Sequence, residues 1–378
     1  MSLNNSYLEF LNNKALYYDK IDYDIIKKSW DILSNHITLP FVIHLIGTNG
    51  KGSTGRFLSS LLNQQDKKVL HYSSPHILEF NERIWINGSN SSDLQLNEAH
   101  QKIQELLTLE FLDKLTYFEY TTLMALYLSS GFDYIVLEAG LGGEFDATNV
   151  VKNDLSIITT IDLDHQEFLG NTIDEIASTK MRSCDSAFIL GNQINKEVLE
   201  TKKRILSEKK EINLNTYPLT QEAKELPVYL QNNLNLALSV MDELGIYFSE
   251  YYLPKLFGRF QKIAPNIVVD VGHNPLAASV IVEEFQKEKK KVILIYNSYK
   301  DKDYKKILKI LKPIIKEVQI LACDDSRIEN NSILTQEILN LSLNVKNLDI
   351  MRINKDDNYL VFGSFLVVES FLKGYNNL

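Results

Sequence analysis

The segment FVIHLIGTNGKGSTGRFLSSLL runs from an apolar strand through a glycine-rich loop into a helix. Gly47, Gly50 and Gly52 let backbone N–H groups approach an anion, the amino end of the helix adds partial positive charge, and Lys51 supplies a point charge. Phosphate suits that combination, surrounded by Gly47, Thr48, Asn49, Gly50, Lys51, Gly52, Ser53 and Thr54. Ser53 or Thr54 then offers a hydroxyl to magnesium. The strict G-x-x-x-x-G-K-[ST] pattern is not met, because Gly52 separates Lys51 from Ser53 and two residues separate Gly47 from Gly50. A flexible glycine turn is the plain alternative, and the strand before and helix after favour phosphate.

Four more polar clusters follow predicted strands, at the carboxyl ends where an open α/β sheet binds ligands. They are Ser73-Ser74-Pro75-His76, the run from Glu138 to Gly143, Asp162-Leu163-Asp164-His165, and the run from Asp270 to Pro275. Glu138 directly follows the apolar YIVL, which is no place for a core carboxylate, so it reads as holding magnesium or a magnesium-bound water. His165 and His273 follow aspartates closely and read as functional, whereas His36, His44, His71, His76 and His100 read as structural or exposed. Magnesium prefers oxygen ligands, so a histidine beside it needs independent support. Lys180, on a predicted helix, reads from spacing alone as a solvated lysine.

The elements that must position these residues alternate along the chain. Apolar runs at 41–47, 67–74, 133–140, 154–161 and 186–191 predict buried strands, separated by amphipathic stretches of helical length. Such alternation implies an α/β fold with a mostly parallel sheet and helices on both faces. The pattern breaks around Gly245, Pro254 and Gly258, then resumes with NIVVDVG, KVILIYNS, VQILACD and LVFGSF as strands. Two domains are therefore expected, 1–257 carrying the phosphate loop and 258–378 forming a smaller Rossmann-like α/β unit.

With 378 residues there is ample chain for two cores, and 44% hydrophobic with 24% charged residues is ordinary globular usage. The net charge of −9 argues against a nucleic-acid or anionic-membrane surface, so any phosphate-binding cations must be concentrated locally. No uninterrupted apolar run approaches a membrane span, and the amino terminus lacks the basic and apolar segments of a secretory signal. Cys184 and Cys323 form no paired motif, which leaves a disulfide framework or a structural zinc site poorly supported. A cytoplasmic setting is expected.

Taken in order, HLIGTNGKGST, SSPHILEFNERIWING, TYFEYTTLMAL, LEAGLGGEFDATNV, DLDHQEFLGNTIDEIASTK, FGR, VVDVGHNP, DKDYKKIL and LVFGSF resemble the folylpolyglutamate synthases and dihydrofolate synthases of the Mur ligase superfamily. The resemblance covers nearly the whole chain. It implies a P-loop-containing, Mur-ligase-like first domain. The activity it implies is an ATP-dependent ligase that joins L-glutamate to dihydropteroate and to reduced folates through an acyl phosphate. Lys51 would then touch the ATP phosphates, Ser53, Ser74 and Glu138 one magnesium, and Glu138 and His165 a second. The lysine matching Lys180 is carbamylated in the family, which would turn a cation into an oxygen ligand. Asn235, Arg259, Asp270 and His273 match positions that grip the nucleotide. Asp146 would bind the substrate, Arg83 would meet a carboxylate, and Phe118 would stack on the pterin or pack its helix. A monomer with small-molecule substrates is implied, without nucleic acid or membrane.

The chain departs from the family pattern at several positions. Glu144 stands where the family commonly has Arg, Gly272 where it has Ala, and Lys180-Met181-Arg182 where it has a KAG run. The first bears on pterin or carboxylate recognition and the last on the surroundings of the carbamate. A Mur-type ligase of UDP-linked muropeptides is a second reading, opposed by the lack of a recognisable UDP-binding domain before Phe41. An ATP-binding regulator without catalysis is a third, opposed by the intact Lys51, Ser53, Glu138, His165 and Lys180.

Overall fold

In the computed structural model, which describes residues 6–14, 23–248 and 250–376, the apolar runs pair side by side in two sheets. The chain divides into two compact units between Pro254 and Lys255. The first contains β1 (Phe41–Ile46), β2 (Val69–Tyr72), β3 (Ile84–Ile86), β4 (Ser89–Asn90), β5 (Tyr134–Glu138), β6 (Leu155–Ile158), β7 (Ala187–Leu190) and β8 (Lys210–Ile212). Their order is β4-β3-β2-β5-β1-β6-β7-β8, parallel from β2 to β8. The central strands are buried on both faces, which is why they read as continuous apolar runs.

Helices cover both faces of this sheet. On one side, Leu123, Met124 and Leu126 of the helix Tyr117–Leu128 share a core with Leu70, Ile135 and Leu137. Each such side chain contributes roughly 1.5–3 kcal/mol by leaving water. Farther along the same face, Ile176, Ala177 and Met181 of the helix Ile173–Met181 join Ile46, Ile158 and Phe188, while the opposite face meets the helix Lys51–Gln64, where Gly55 lies against Leu45 and His71. Both helices start with reciprocal caps, Thr116 with Glu119 and Thr172 with Glu175, which fix where each begins. The parallel register sets Leu45 opposite Glu138 and Ile46 opposite Ile158, so the loops leaving β1, β5 and β6 emerge at one level.

The second unit contains β9 (Gln261–Ala264), β10 (Ile267–Asp270), β11 (Val292–Tyr296), β12 (Ile315–Ile320), β13 (Val345–Asn347) and β14 (Tyr359–Phe362). They are ordered β13-β12-β11-β14-β10-β9, with β9 antiparallel to β10. Its core joins Leu294, Leu360 and Phe362 to Ile281, Phe285 and Leu308 from the helices.

Several elements depart from the sequence reading. The ERIWING segment forms a short antiparallel hairpin, β3 and β4, closed at Asn87-Gly88, so this edge of the sheet is not parallel. The helix that the pattern predicts from Tyr304 to Ile315 ends at Leu311, because Pro313 has no N–H to continue it. Helices Asn331–Asn340 and Phe365–Tyr375 were not anticipated. Among the described residues no helix is long and apolar enough to cross a membrane.

Candidate functional site

The loop after β1 turns into the helix Lys51–Gln64 at Gly50, whose φ of +93° is left-handed. A side chain there would be strained by that backbone and would also lie 2.9 Å from Asn233 Oδ1. The first helical N–H groups are left without intrahelical acceptors, which makes this end an anion site. Thr48 anchors the loop, its hydroxyl donating to Asp162 O at 2.9 Å and accepting from Asp162 N–H at 3.0 Å. Lys51 folds back over the loop and donates from Nζ to Gly47 O at 2.9 Å. Thr54, like Ser53, is buried, and its hydroxyl has no hydrogen-bond partner among the described residues.

Ser53 donates to Gly50 O at 3.1 Å and accepts from Asn233 Nδ2 at 2.8 Å. Asn233 belongs to the helix Val228–Glu243, which packs against the helix Lys51–Gln64. Asn235, expected at the nucleotide, points elsewhere, with Oδ1 accepting from Tyr217 N–H at 3.0 Å. Two residues on a helix are separated by roughly 200°, so Asn233 and Asn235 cannot face the same loop. The resemblance singled out Asn235, and the helix turns Asn233 to the loop instead.

Glu138 is the last residue of β5 and is buried. One of its carboxylate oxygens, Oε2, accepts from Ser74 N–H at 3.4 Å, which brings together two of the expected magnesium ligands. Arg56, not singled out from sequence, lies within Coulombic reach of Glu138 and sits 4.9 Å over the Trp85 ring. His165 adopts a left-handed backbone, with its Nε2 3.9 Å from Asp164 Oδ2.

Lys180 corrects the spacing-based reading of a solvated lysine, because only 4% of it is exposed. Burial, foremost, and the neighbouring Lys51 ammonium lower its amine from 10.5 to about 7, while Asp164 and Asp146 oppose that shift. The structure therefore gathers Lys51, Lys180, Asp146 and Asp164 into one charged group. The Gly140-to-Asp146 loop presses on the helix carrying Lys180, and a Cβ at Gly143 would lie 2.8 Å from Lys180 O. Glu144 N–H donates to Thr179 O at 2.9 Å, and its carboxylate pairs with Arg182 at 3.0 Å. Two departures from the family pattern thus meet each other.

On the acceptor side, Phe118 packs against Gly140 and stacks on Tyr72 with ring centroids 5.7 Å apart. Arg83 donates from Nε to His76 Nδ1 at 2.8 Å and lies 5.2 Å over the Tyr117 ring. His76, read from sequence as idle, thereby aims the guanidinium. Asp146 is buried, and desolvation raises its carboxyl above the usual value. Phe145 and Phe168, 61% and 62% exposed, are large apolar rings that the sequence reading did not single out.

The second unit holds its own cluster at the end of β10. Asp270 accepts Phe260 N–H at 2.8 Å and Gly272 N–H at 2.7 Å. Arg259 lies 5.0 Å over the Phe365 ring, and the His273 ring is 6.4 Å from the same phenyl. His273 Nδ1 is 3.1 Å from Val271 O, which can only accept, so that nitrogen carries a proton.

No family model matches the chain. A dihydrofolate synthase/folylpolyglutamate synthase of Haemophilus influenzae is 31% identical over 97% of this chain and 95% of its own length. One of Buchnera aphidicola is 32% identical over 98% and 97%. Among solved structures, Helicobacter pylori folylpolyglutamate synthetase superposes with a TM-score of 0.78 at 37% identity, covering 100% of both chains. Escherichia coli FolC, solved with DHPP and ADP, superposes with a TM-score of 0.84 at 27% identity over 100% of this chain and 99% of its own. On this likeness in sequence and fold, the chain belongs to the dihydrofolate synthase/folylpolyglutamate synthase family and is an ATP-dependent, amide-forming ligase.

Proposed function

We propose that the first unit activates the acceptor carboxylate by phosphoryl transfer from ATP. The backbone N–H groups at the start of the helix Lys51–Gln64 bind the phosphates, and Lys51 moves from Gly47 O onto them. A carboxylate oxygen of the acceptor attacks the γ-phosphorus and ADP leaves, giving an acyl phosphate. The amine of L-glutamate attacks that carbonyl carbon, loses a proton, and expels inorganic phosphate. Positioning and charge stabilisation carry the rate, without a covalent enzyme intermediate.

The donor set fits two magnesium ions if Lys180 supplies an anion. Among the described residues no three His, Cys, Asp or Glu side chains gather for a metal, so hydroxyls and a modified lysine must complete the shell. Ser53, Ser74 and Glu138 would hold one ion, and Glu138, His165 and carbamylated Lys180 the second. When bound, magnesium neutralises charge on the transferring phosphoryl group. The observation that carries this reading is the buried Lys180 amine beside Lys51 and Asp146, lowered to about 7 so that a large share of it is neutral near pH 7. A neutral amine adds through its lone pair to carbon dioxide and releases one proton, leaving a carbamate.

Arg83, Phe118 and Asp146 serve the pterin-bearing acceptor in this reading, while Arg259, Asp270 and His273 serve the nucleotide. Asn233 takes the place expected of Asn235. The enzyme acts as a cytoplasmic monomer on small molecules. Phosphate release from ATP with L-glutamate, compared between dihydropteroate and tetrahydrofolate, tests the proposal. Turnover on both is expected, and ATP binding with silence on both would overturn it.

A further inference from the structure

Asp146 ends a buried hydrogen-bonded chain that begins on β1. His44 is 1% exposed, and its Nε2 lies 2.8 Å from Thr148 Oγ1. Thr148 Oγ1 donates to Asp146 Oδ1 at 2.6 Å, a charge-assisted bond that commits the hydroxyl proton to the carboxylate. The threonine oxygen can then only accept from the imidazole, so His44 carries its proton on Nε2. Burial holds this imidazole down to about 4, which keeps it a neutral donor at physiological pH.

Capping the short turn after Asp146 needs only the bond from Thr148 N–H to Oδ1, at 2.9 Å. It needs neither the threonine hydroxyl nor a histidine on a core strand. The fold nevertheless keeps His44 with its Nδ1 buried and without a partner among the described residues, a cost that an apolar residue there would avoid. Leu141 N–H holds the second oxygen, Oδ2, at 2.7 Å, so both ends of the carboxylate are fixed. Lys51 and Lys180 lie within Coulombic reach of this carboxylate. The Thr148 hydroxyl adds a second bond to Oδ1 against the pull of those amines.

We propose that His44 and Thr148 are positioning residues for Asp146, fixing its carboxylate so that Oδ2 faces an N–H donor of the pterin-bearing acceptor. This rests on the reading of Asp146 as an acceptor-binding residue. The chain sets the direction of that acceptor bond and takes no part in phosphoryl transfer.

The test is the KM for dihydropteroate, the KM for ATP and the thermal midpoint in Thr148→Val, Thr148→Ser, His44→Gln, His44→Leu and Asp146→Asn. Thr148→Val and His44→Leu should raise the dihydropteroate KM about tenfold, the effect of one misdirected charged hydrogen bond, with the ATP KM unchanged. Thr148→Ser keeps the hydroxyl, and His44→Gln keeps an N–H near Nε2, so both should stay near wild type. A folded Thr148→Val with an unchanged dihydropteroate KM, while Asp146→Asn raises it, overturns the positioning chain alone. An unchanged dihydropteroate KM in Asp146→Asn overturns the acceptor reading and the chain with it. If Thr148→Val does not fold, His44→Leu is judged by the same criterion.

Discussion

The Asn233 side chain donates to the Ser53 hydroxyl across 2.8 Å, tying a helix about 180 residues downstream to the start of the phosphate loop helix. Ser53 is therefore oriented from outside its own loop. Its hydroxyl also donates to Gly50 O, so the amide and the loop carbonyl together set where its remaining lone pair points.

Asn233→Ala should raise the KM for ATP and the magnesium requirement by roughly tenfold, the effect of losing one oriented ligand interaction. Asn235→Ala should leave both within about twofold and instead lower stability by about 1 kcal/mol, because Tyr217 N–H loses its acceptor. Steady-state kinetics with thermal melts separates the two. Equal kinetic effects would remove the assignment of Asn233.

Lys180→Ala should abolish turnover, and short carboxylic acids should restore part of it by supplying the missing oxygen ligands. In wild-type enzyme stripped of carbon dioxide, activity should return faster at pH 8 than at pH 6 when both buffers are held at the same concentration of dissolved carbon dioxide. With the amine at about 7, about nine-tenths is neutral at the higher pH and about one-tenth at the lower. Full activity of Lys180→Ala without added acid contradicts the carbamate.

The same burial makes a stability prediction for the uncarbamylated protein. The Lys180 amine sits at about 7 when folded against 10.5 as its ordinary value. Between those values the unfolded chain holds a proton that the folded chain lacks, so this group makes stability rise with pH across that window. Its destabilising contribution is fully present below about pH 7 and gone above pH 10.5. Denaturant melts of wild type against Lys180→Met should differ in slope there, with the variant flatter. Parallel curves contradict a buried amine.

The Glu144–Arg182 pair predicts a small, reversible effect. Its side chains are 29% and 47% exposed, so solvent screens the attraction and either single alanine variant should cost no more than about 1 kcal/mol. Glu144→Arg with Arg182→Glu should recover most of what either charge reversal alone loses. Additive losses in a double-mutant cycle would show that the pair does not couple the loop to the Lys180 helix.

How far the site was legible from sequence depended on the kind of signal. Glu138 could be found because a carboxylate after YIVL contradicts the apolar pattern around it. The phosphate loop could be found because glycines, lysine and a strand-to-helix change coincide. Lys180 was misread on spacing because burial comes from the loop pressed on it at Gly143, a tertiary contact. His44 and Thr148 gave no local sign, since their bond spans 104 positions in the chain. Asn233 was overlooked beside Asn235 although helix periodicity separates their faces. The Asn87-Gly88 pair after the apolar run Ile84-Trp85-Ile86 was a hairpin signal that the parallel-sheet reading passed over.

The most direct test of the central claim uses dihydropteroate labelled with oxygen-18 in its carboxylate, incubated with ATP, magnesium and L-glutamate. If the carboxylate oxygen attacks the γ-phosphorus, each amide formed should release one phosphate carrying one labelled oxygen, and Lys51→Ala should release none. Amide formation with unlabelled phosphate would contradict the acyl phosphate route.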